Sequence, residues 1–127
     1  MSYSGIEKHC LGLPGVTLDQ PFGDSHVFKV GGKMFAMIPM TGEKPSGVWF
    51  KAGETSMRIL MEIDGIYPCP YLARAKWVAM DDLKPLKLGE LKRYLTRAHA
   101  IVASGLPKKK REALGIGSAT MEDKPLR

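Results

Sequence analysis

Residues 27–36 read VFKVGGKMFA and contain the clearest turn signal in the chain. β-Branched or aromatic residues, which are frequent in strands, stand on both sides of the pair Gly31-Gly32. Two adjacent glycines accept the positive φ angles that a two-residue hairpin turn demands. The stretch therefore predicts two antiparallel strands, over residues 26–30 and 33–40, joined by a tight turn.

The second of these strands has an irregular pattern. Within residues 33–38, apolar and polar side chains alternate poorly. A central strand covered on both faces would give this pattern, and so would a strand with one face of small residues. The sequence leaves both alternatives open. Further strands are predicted over 16–20, 47–52 and 76–80, a loop over 40–47 and an extended connection over 66–71.

Two short helices are predicted beside these strands. Ser4 followed by Glu7 is a capping-box pattern, which predicts a first helix over the opening residues. Residues 54–64 have the composition of a second helix, with Thr55 or Ser56 as its N-cap. Both helices have apolar residues that are available to a core.

A third helix has the most regular pattern. Its apolar residues recur at alternating three- and four-residue spacing and form one stripe. They are Leu88, Leu91, Leu95, Ala98 and Val102. Arg93 and Arg97 fall on the opposite side, together with Glu90. The pattern predicts a surface helix with a basic outer face.

The order helix, strands, helix, strand, helix predicts an α+β fold in which helices cover one face of a mostly antiparallel sheet. A chain of 127 residues has the size of a single domain. Its hydrophobic fraction of 44% and charged fraction of 25% exclude disordered and fibrous classes. We expect the domain to span residues 1–111, because residues 112–127 lack an apolar period and are typical of a flexible tail.

Targeting signals and cysteine usage indicate the compartment. The first residues lack the basic and apolar regions of a signal peptide, and no window approaches the length of a membrane span. Cys10 and Cys69 form neither a CxxC pair nor a disulfide framework. We therefore expect a cytoplasmic protein with no membrane association.

The net charge of +6 lies entirely in the C-terminal half. Residues 1–63 carry six lysine and arginine residues and six acidic ones, whereas residues 64–127 carry thirteen against seven. Such asymmetry is typical of proteins with an anionic partner, and also of a solvated basic surface. Both interpretations stay open at this point.

No catalytic constellation can be assembled from the sequence. A nucleophile needs a base beside it, and Cys69, the one candidate expected to be exposed, stands between two prolines with no histidine at a suggestive spacing. We expect a structural thiol there. Asp81-Asp82 is typical of a turn rather than a metal site, and Gly31-Gly32 lies in a hairpin rather than a phosphate loop. The sequence thus predicts no enzyme, no metal and no cofactor.

Aromatic and basic residues are interleaved within residues 67–77. Side chains of these two kinds can stack on bases and hold phosphates. The residues are Tyr67, Tyr71, Arg74, Lys76 and Trp77. The alternative is that Trp77, like Trp49, is a core residue of a strand.

Four stretches resemble, in order and spacing, the MmcQ/YjbR family: residues 27–36, 50–52, 70–78 and 106–109. The resemblance implies a compact α+β fold of the CyaY-like, or frataxin-like, kind with a double-wing arrangement, and a DNA-binding function. The matched positions are Lys33, Lys51, Tyr71, Arg74, Lys76, Trp77 and Lys108. The fold analogy does not carry iron binding with it, because that needs an acidic ridge and the first helix offers only Glu7.

Two functions are consistent with these features. The first is a non-enzymatic, sequence-nonspecific DNA-binding module whose basic side chains contact phosphates. Its predicted contacts are Lys33, Lys51, Arg74, Lys76, Arg93, Arg97, Lys108, Lys109, Lys110 and Arg111, with Tyr71 and Trp77 as aromatic contacts. The alternative is an accessory domain that binds a protein or a small ligand through the aromatic loop 67–77. A concave apolar pocket beside that loop, with dispersed cations, would favour the alternative over a continuous basic face.

Overall fold

The computed structural model describes residues 3–20, 25–42 and 44–115, and the helices and strands that follow lie in these ranges. The helices are α1 (Tyr3–Leu11), α2 (Glu54–Leu60), α3 (Leu88–Ser104) and α4 (Lys108–Ala113). The strands are β1 (Val16–Asp19), β2 (His26–Val30), β3 (Lys33–Ile38), β4 (Met40–Thr41), β5 (Lys44–Pro45), β6 (Val48–Lys51), β7 (Ile66–Pro68) and β8 (Trp77–Met80). A 3₁₀ turn, Ala73–Ala75, lies between β7 and β8.

Six strands form one antiparallel sheet in the order β1-β2-β3-β6-β8-β7. The predicted hairpin is confirmed, because Val30 pairs with Lys33 and the turn glycines, Gly31 and Gly32, have φ angles of 59° and 82°. Helices α1, α2 and α3 all contribute side chains to one core on one face of this sheet. The predicted α+β class, with its mostly antiparallel sheet, is therefore confirmed.

A β-bulge explains the irregular pattern of β3. Phe28 on β2 lies opposite Ala36, whereas its neighbour Lys29 lies opposite Met34, so Phe35 is an extra residue in the pairing. Phe35 and Ala36 both enter the main core, while Met34 packs against a second cluster. Of the two alternatives, β3 is thus a central strand covered on both faces. The bulge also shifts by one residue the alternation of its side chains between the two faces.

The main core lies between the sheet and the helices. Phe28, Phe50 and Leu95 are fully buried there, and the rings of Phe50 and Tyr94 lie 6.1 Å apart. Aromatic rings at this distance add a favourable contact to the burial of apolar area. Because α3 contributes several residues to this core, its predicted apolar stripe is confirmed from Leu91 onward.

The second cluster lies on the other face of the sheet. Its buried members are Cys69, Trp77 and Ala79, and partly buried residues that include Met34 and Trp49 pack around them. Within the ranges given above, no helix residue belongs to this cluster. The second face is therefore covered by the segment between β7 and β8 rather than by a helix layer.

The two short helices begin differently from their predictions. Helix α2 has Gly53 at its N-cap, and both Thr55 and Ser56 lie inside the helix, so the predicted cap is wrong. Helix α1 begins at Tyr3, which places Ser4 in its first turn rather than before it. The predicted loop 40–47 contains the short ribbon of β4 and β5, because Met40 pairs with Pro45.

The folded domain extends past its predicted boundary at Arg111. Helix α4 continues to Ala113, and the side chain of Leu114 packs against the main core and against Gly15. Residues 112–115 are therefore part of the domain, which corrects the predicted tail. The remainder of that tail, residues 116–127, lies outside the described residues. None of the described helices combines the length and the apolar character that crossing a bilayer requires.

Candidate functional site

Strand register brings several of the predicted cations to one end of the sheet. Strand β3 begins at Lys33 beside the glycine turn, and its antiparallel neighbour β6 ends at Lys51. Lys51 in turn pairs with Trp77, the first residue of β8, so Lys76 arrives at the same end. We call this the hairpin end of the sheet. The sequence alone could not show this grouping, because it depends on which strands are neighbours.

A tight turn opens the connection from β7 to β8. The Leu72 amide donates a hydrogen bond of 3.1 Å to the Cys69 carbonyl, with Pro70 and Tyr71 at the two central positions. Proline fixes the first central φ, and the second central residue, Tyr71, has a φ of 65°. This is the pattern of a type II turn, whose second central position usually holds glycine.

The connection also ends on a left-handed residue. Lys76 follows the 3₁₀ turn with φ 65° and ψ 41°. Among the described non-glycine residues, Tyr71 and Lys76 are those with a positive φ. Such a conformation costs an ordinary side chain about 1–2 kcal/mol. Strained residues of this kind are frequent at binding sites, where their side chains are held in place by the structure around them.

The backbone of Lys76 ties this connection to the start of α2. Its carbonyl accepts hydrogen bonds from the amides of Ala52 at 2.9 Å and Gly53 at 3.2 Å. As a result, the side chains of Lys51, Arg74 and Lys76 line one cavity of about 490 Å³, which we call the basic cavity. The rest of its lining comes from Gly53, Glu54, Ala75, Ile101 and Ser104.

The basic cavity has an excess of positive charge. It has three cationic side chains and one carboxylate, that of Glu54. Arg74 and Lys76 are exposed and Lys51 is half-buried. The ion pairs of His26 with Glu7 and of Lys29 with Asp19 do not involve these cations. The cavity is therefore suited to an anion.

Helix α4 adjoins the basic cavity and carries the predicted run of four basic residues, Lys108, Lys109, Lys110 and Arg111. The Arg111 guanidinium donates a hydrogen bond of 3.3 Å to the carbonyl of Ser104, which lines the cavity. Leu106 packs closely under the hairpin turn, since a Cβ on Gly31 would lie 2.6 Å from its Cδ1. The three lysines are exposed. The run predicted to lead into a flexible tail is thus an anchored helix.

The two predicted arginines of α3 do not join this group. Arg97 is only 8% exposed, so its predicted position on the outer face of the helix is wrong. Arg93 is exposed but lines, with His9 and Lys92, a different cavity of about 370 Å³. It precedes Ser104 by eleven residues, which is about 16 Å along a helix.

The two predicted aromatic contacts, Tyr71 and Trp77, also lie in different surroundings. Trp77 is 3% exposed and belongs to the second cluster, so it is the core residue of the alternative interpretation. Tyr71 is fully exposed. It forms one wall of an apolar cleft of about 370 Å³ on the sheet face without helices. The cleft is lined by Met34, Met37, Trp49, Pro70, Tyr71 and Leu72.

The methionines of this cleft were not among the residues predicted from the sequence. Met37 and Trp49 are paired across β3 and β6, so their side chains lie on the same face of the sheet. In β6 the half-buried Trp49 stands between the buried Val48 and Phe50, but all three residues are apolar, so the sequence carries no signal of this alternation. The bulge at Phe35 hid the corresponding pattern in β3.

The cysteine that was expected to be exposed is buried. Cys69 is 1% exposed, and burial raises the pKa of its thiol to about 12. Burial likewise raises the pKa of Cys10 to about 12. Thiols of this kind stay protonated near neutral pH and are poor nucleophiles. The position of Cys69 is consistent with the predicted structural role.

The other candidates for chemistry are engaged in local structure. His99 makes a hydrogen bond of 2.7 Å to the Pro14 carbonyl, and His9 one of 2.8 Å to the Thr96 hydroxyl. Asp82 accepts the amide of Lys84 at 2.9 Å, which confirms it as a turn residue. Residues 3–20, 25–42 and 44–115 contain no group of three histidine, cysteine or acidic residues arranged to hold a metal ion.

Comparisons with known proteins bear on the fold and the family. The structure is similar to a Deinococcus radiodurans protein with a DUF419 domain, with a TM-score of 0.80 and 21% identity over 97% of this chain and 94% of that one. A Pseudomonas syringae protein is similar with a TM-score of 0.63 and 19% identity, over 80% and 98% of the two chains. No curated protein matches the sequence. The sequence model of the YjbR family matches residues 11–101, and the chain therefore belongs to the YjbR family.

Proposed function

We propose that this protein is a non-enzymatic DNA-binding module whose cations contact phosphates without reading the base sequence. One observation carries the proposal: Lys51, Arg74 and Lys76 come from two separate segments of the chain and line a single cavity. Three cations beside a single carboxylate give a positive potential, which attracts polyanions. Each phosphate that they neutralise releases counterions, and this release favours binding.

Helix α4 extends this surface. Its exposed residues Lys108, Lys109 and Lys110 belong to the helix that Arg111 bonds to the carbonyl of Ser104, and Ser104 lines the basic cavity. Lys33, at the start of β3, belongs to the same hairpin end. A polyanion that spans several phosphates could contact all of these groups, whereas a small anion would contact only the cavity.

The contact set is accordingly narrower than the one predicted from the sequence. It keeps Lys33, Lys51, Arg74, Lys76 and the three lysines of α4. Arg111 acts by holding α4 against α3, and the buried Arg97 is left out. Arg93 lies on another cavity and serves here as a control position.

A second function is supported by a separate observation. The apolar cleft beside Tyr71 is the kind of concavity that binds small ligands or protein side chains. This second function predicts cations that are dispersed over the surface, whereas the cations are grouped at the hairpin end of the sheet. We therefore rank the accessory binding domain below the DNA-binding module.

A charge-matched pair of triple variants tests the proposal. The site variant is Lys51→Gln, Arg74→Gln, Lys76→Gln, and the control variant is Lys84→Gln, Lys87→Gln, Arg93→Gln. Both lose three positive charges, and the control positions are exposed. Binding to a fluorescent DNA duplex is followed by anisotropy at salt concentrations from about 20 to about 200 mM. Affinity that depends on phosphate contacts falls steeply over about this range.

We expect the site variant to bind at least about tenfold more weakly than the control variant. The slope of log K against log salt should fall by about 2.7 for the three lost contacts. Equal losses of affinity in the two variants would show that binding depends on net charge and not on the basic cavity. Absence of binding by the unmodified protein at low salt would refute it.

A further inference from the structure

We infer that the apolar cleft stacks the bases of single-stranded DNA while the basic cavity holds the neighbouring phosphates. This inference rests on the proposed function and adds to it a preference for single strands. It begins from Tyr71, which is fully exposed although it is a large aromatic residue. Its ring lies at a position where glycine would be less strained.

The cleft is built to take a flat apolar group. Trp49 and two methionines lie along its floor on β3 and β6, and Tyr71 and Leu72 form its wall on the loop. A volume of about 370 Å³ fits one or two bases rather than a folded element. Every base has a π-face, so stacking on such a cleft would not depend on sequence.

The same short loop carries the cleft wall and the cations. Tyr71 and Leu72 line the cleft, and Arg74 and Lys76 line the basic cavity. Three peptide units separate Tyr71 from Arg74, at most about 11 Å of extended chain. A nucleotide spans a similar reach from its base to the adjacent phosphate. A strand that meets both surfaces would pass around the hairpin end, from the cleft on the face without helices to the cavity lined partly by Ile101 and Ser104 of α3.

Charge selects this occupant over the others that an apolar cleft could take. No acidic side chain lines the cleft, and the cations nearest to it in sequence are Lys33, next to Met34, and the Lys51 and Arg74 of the basic cavity. A second copy of this chain would bring another net charge of +6 toward the same cations. A strand of nucleic acid brings apolar bases together with negative phosphates, so it matches both surfaces.

The cleft favours single strands over a duplex and does not select RNA. In a duplex the base faces are stacked inside, where a cleft on a sheet surface cannot reach them. Among the lining side chains, Tyr71 and Trp49 carry hydrogen-bonding groups, and neither group by itself distinguishes a 2′-hydroxyl from the other polar atoms of a nucleotide. Because the proposed function is DNA binding, we assign the cleft to single-stranded DNA.

The test uses variants at Tyr71 that keep the fold. Tyr71→Gly removes the ring and relieves the steric strain of a side chain at a positive φ. Tyr71→Phe keeps the ring and is the matched control. Anisotropy is measured with a 12-nucleotide single strand of DNA, the duplex of the same sequence and the corresponding RNA strand. Tryptophan emission is followed in the unmodified protein and in the Trp49→Phe variant while the single-stranded DNA is added as the quencher.

We expect Tyr71→Gly to weaken single-strand binding by about five- to a hundredfold and to leave duplex binding unchanged within about twofold. Tyr71→Phe should bind like the unmodified protein. Single-stranded DNA should quench the emission, and Trp49→Phe should lose most of that quenching.

The outcomes separate this inference from the proposed function. If Tyr71→Gly leaves single-strand binding intact while the Lys51, Arg74, Lys76 variant still loses affinity, the stacking cleft is refuted and the phosphate site stands. If neither strand form binds at low salt, both are refuted. RNA binding more than about tenfold tighter than DNA would overturn the choice of DNA. A dimer in light scattering that Tyr71→Gly dissolves would assign the cleft to a second copy.

Discussion

The two faces of the sheet are made by the same strands but are covered in different ways. On one face α1, α2 and α3 enclose a core that includes the fully buried Phe28, Phe50 and Leu95. On the other face three buried residues form a small cluster beneath a loop. Neighbouring residues of β6 illustrate the contrast, because Phe50 is enclosed while Trp49 stays half-buried.

This difference separates, within one strand, the residues that stabilise the fold from those that stay accessible to solvent. Alternate residues of a strand point to opposite faces, so each can be selected for a different purpose. The helix-covered face holds the fold together, and the face without helices keeps an apolar cleft accessible. Four predictions test this comparison.

The largest expected effect comes from substituting adjacent residues of β6. Phe50→Ala removes a fully buried ring and should lower the free energy of unfolding by about 3–5 kcal/mol. Trp49→Ala should cost about 1–2 kcal/mol, because its ring is partly in water already. Urea denaturation of both variants measures the difference. Equal losses would show that the two faces contribute alike.

The two cysteines report how easily each face opens. Both thiols have a pKa of about 12 against an ordinary value of 9.0, so neither reacts from the closed state. Cys10 lies in the main core and should be alkylated only when the whole domain unfolds. Cys69 should be alkylated whenever the small second cluster opens. We expect alkylation of Cys69 to be at least about tenfold faster, as followed by peptide mass spectrometry. Identical rates would mean that both faces open together.

A smaller effect is expected from relieving strain in the loop over the second face. Lys76→Gly should raise the free energy of unfolding by about 0.5–1 kcal/mol, because glycine accepts a φ of 65° without steric cost. Lys76→Ala is the matched control, since it removes the same charge and keeps the strained backbone. If the alanine variant is as stable as the glycine variant, strain is not the cause.

The smallest effect concerns pH and the helix layer. Burial lowers the pKa of His9 below its ordinary 6.5, and the charge of Lys92 acts in the same direction. The unfolded chain then binds a proton more readily than the folded one, so this contribution is present above about pH 6.5 and is lost as pH falls toward the lowered pKa. Denaturation midpoints of the unmodified protein should fall between pH 7 and pH 5 by slightly more than those of His9→Gln. Parallel pH profiles would contradict this.

The sequence predicted those features that depend on local chemistry. The glycine pair sufficed for the hairpin, and the spacing from Leu91 to Val102 sufficed for the buried side of α3. The interleaved basic residues at Arg74 and Lys76 did reach one cavity with Lys51. Each of these depends on a turn, a helical period or a short segment.

Features that depend on distant neighbours were not predictable in this way. Helix α3 contacts α1 as well as the sheet, so it buries a wider surface than its apolar stripe, and Arg97 lies within that surface. Pro70 signals a turn, but only the folded backbone shows that Tyr71 occupies its left-handed position. The basic run became a helix because Leu106 and Leu114 pack at either side of it, which its charges do not indicate.

The extra residue in β3 has a consequence for how this gene could vary in length. Deleting one residue from a regular strand would turn every side chain beyond it to the wrong face. Deleting Phe35 would instead restore plain alternation, with Met34 on the cleft side, Ala36 in the core and Met37 on the cleft side. The loss would be one buried ring and its contacts with the rings of Phe28 and His99. Relatives one residue shorter at this point could therefore keep both faces of the sheet.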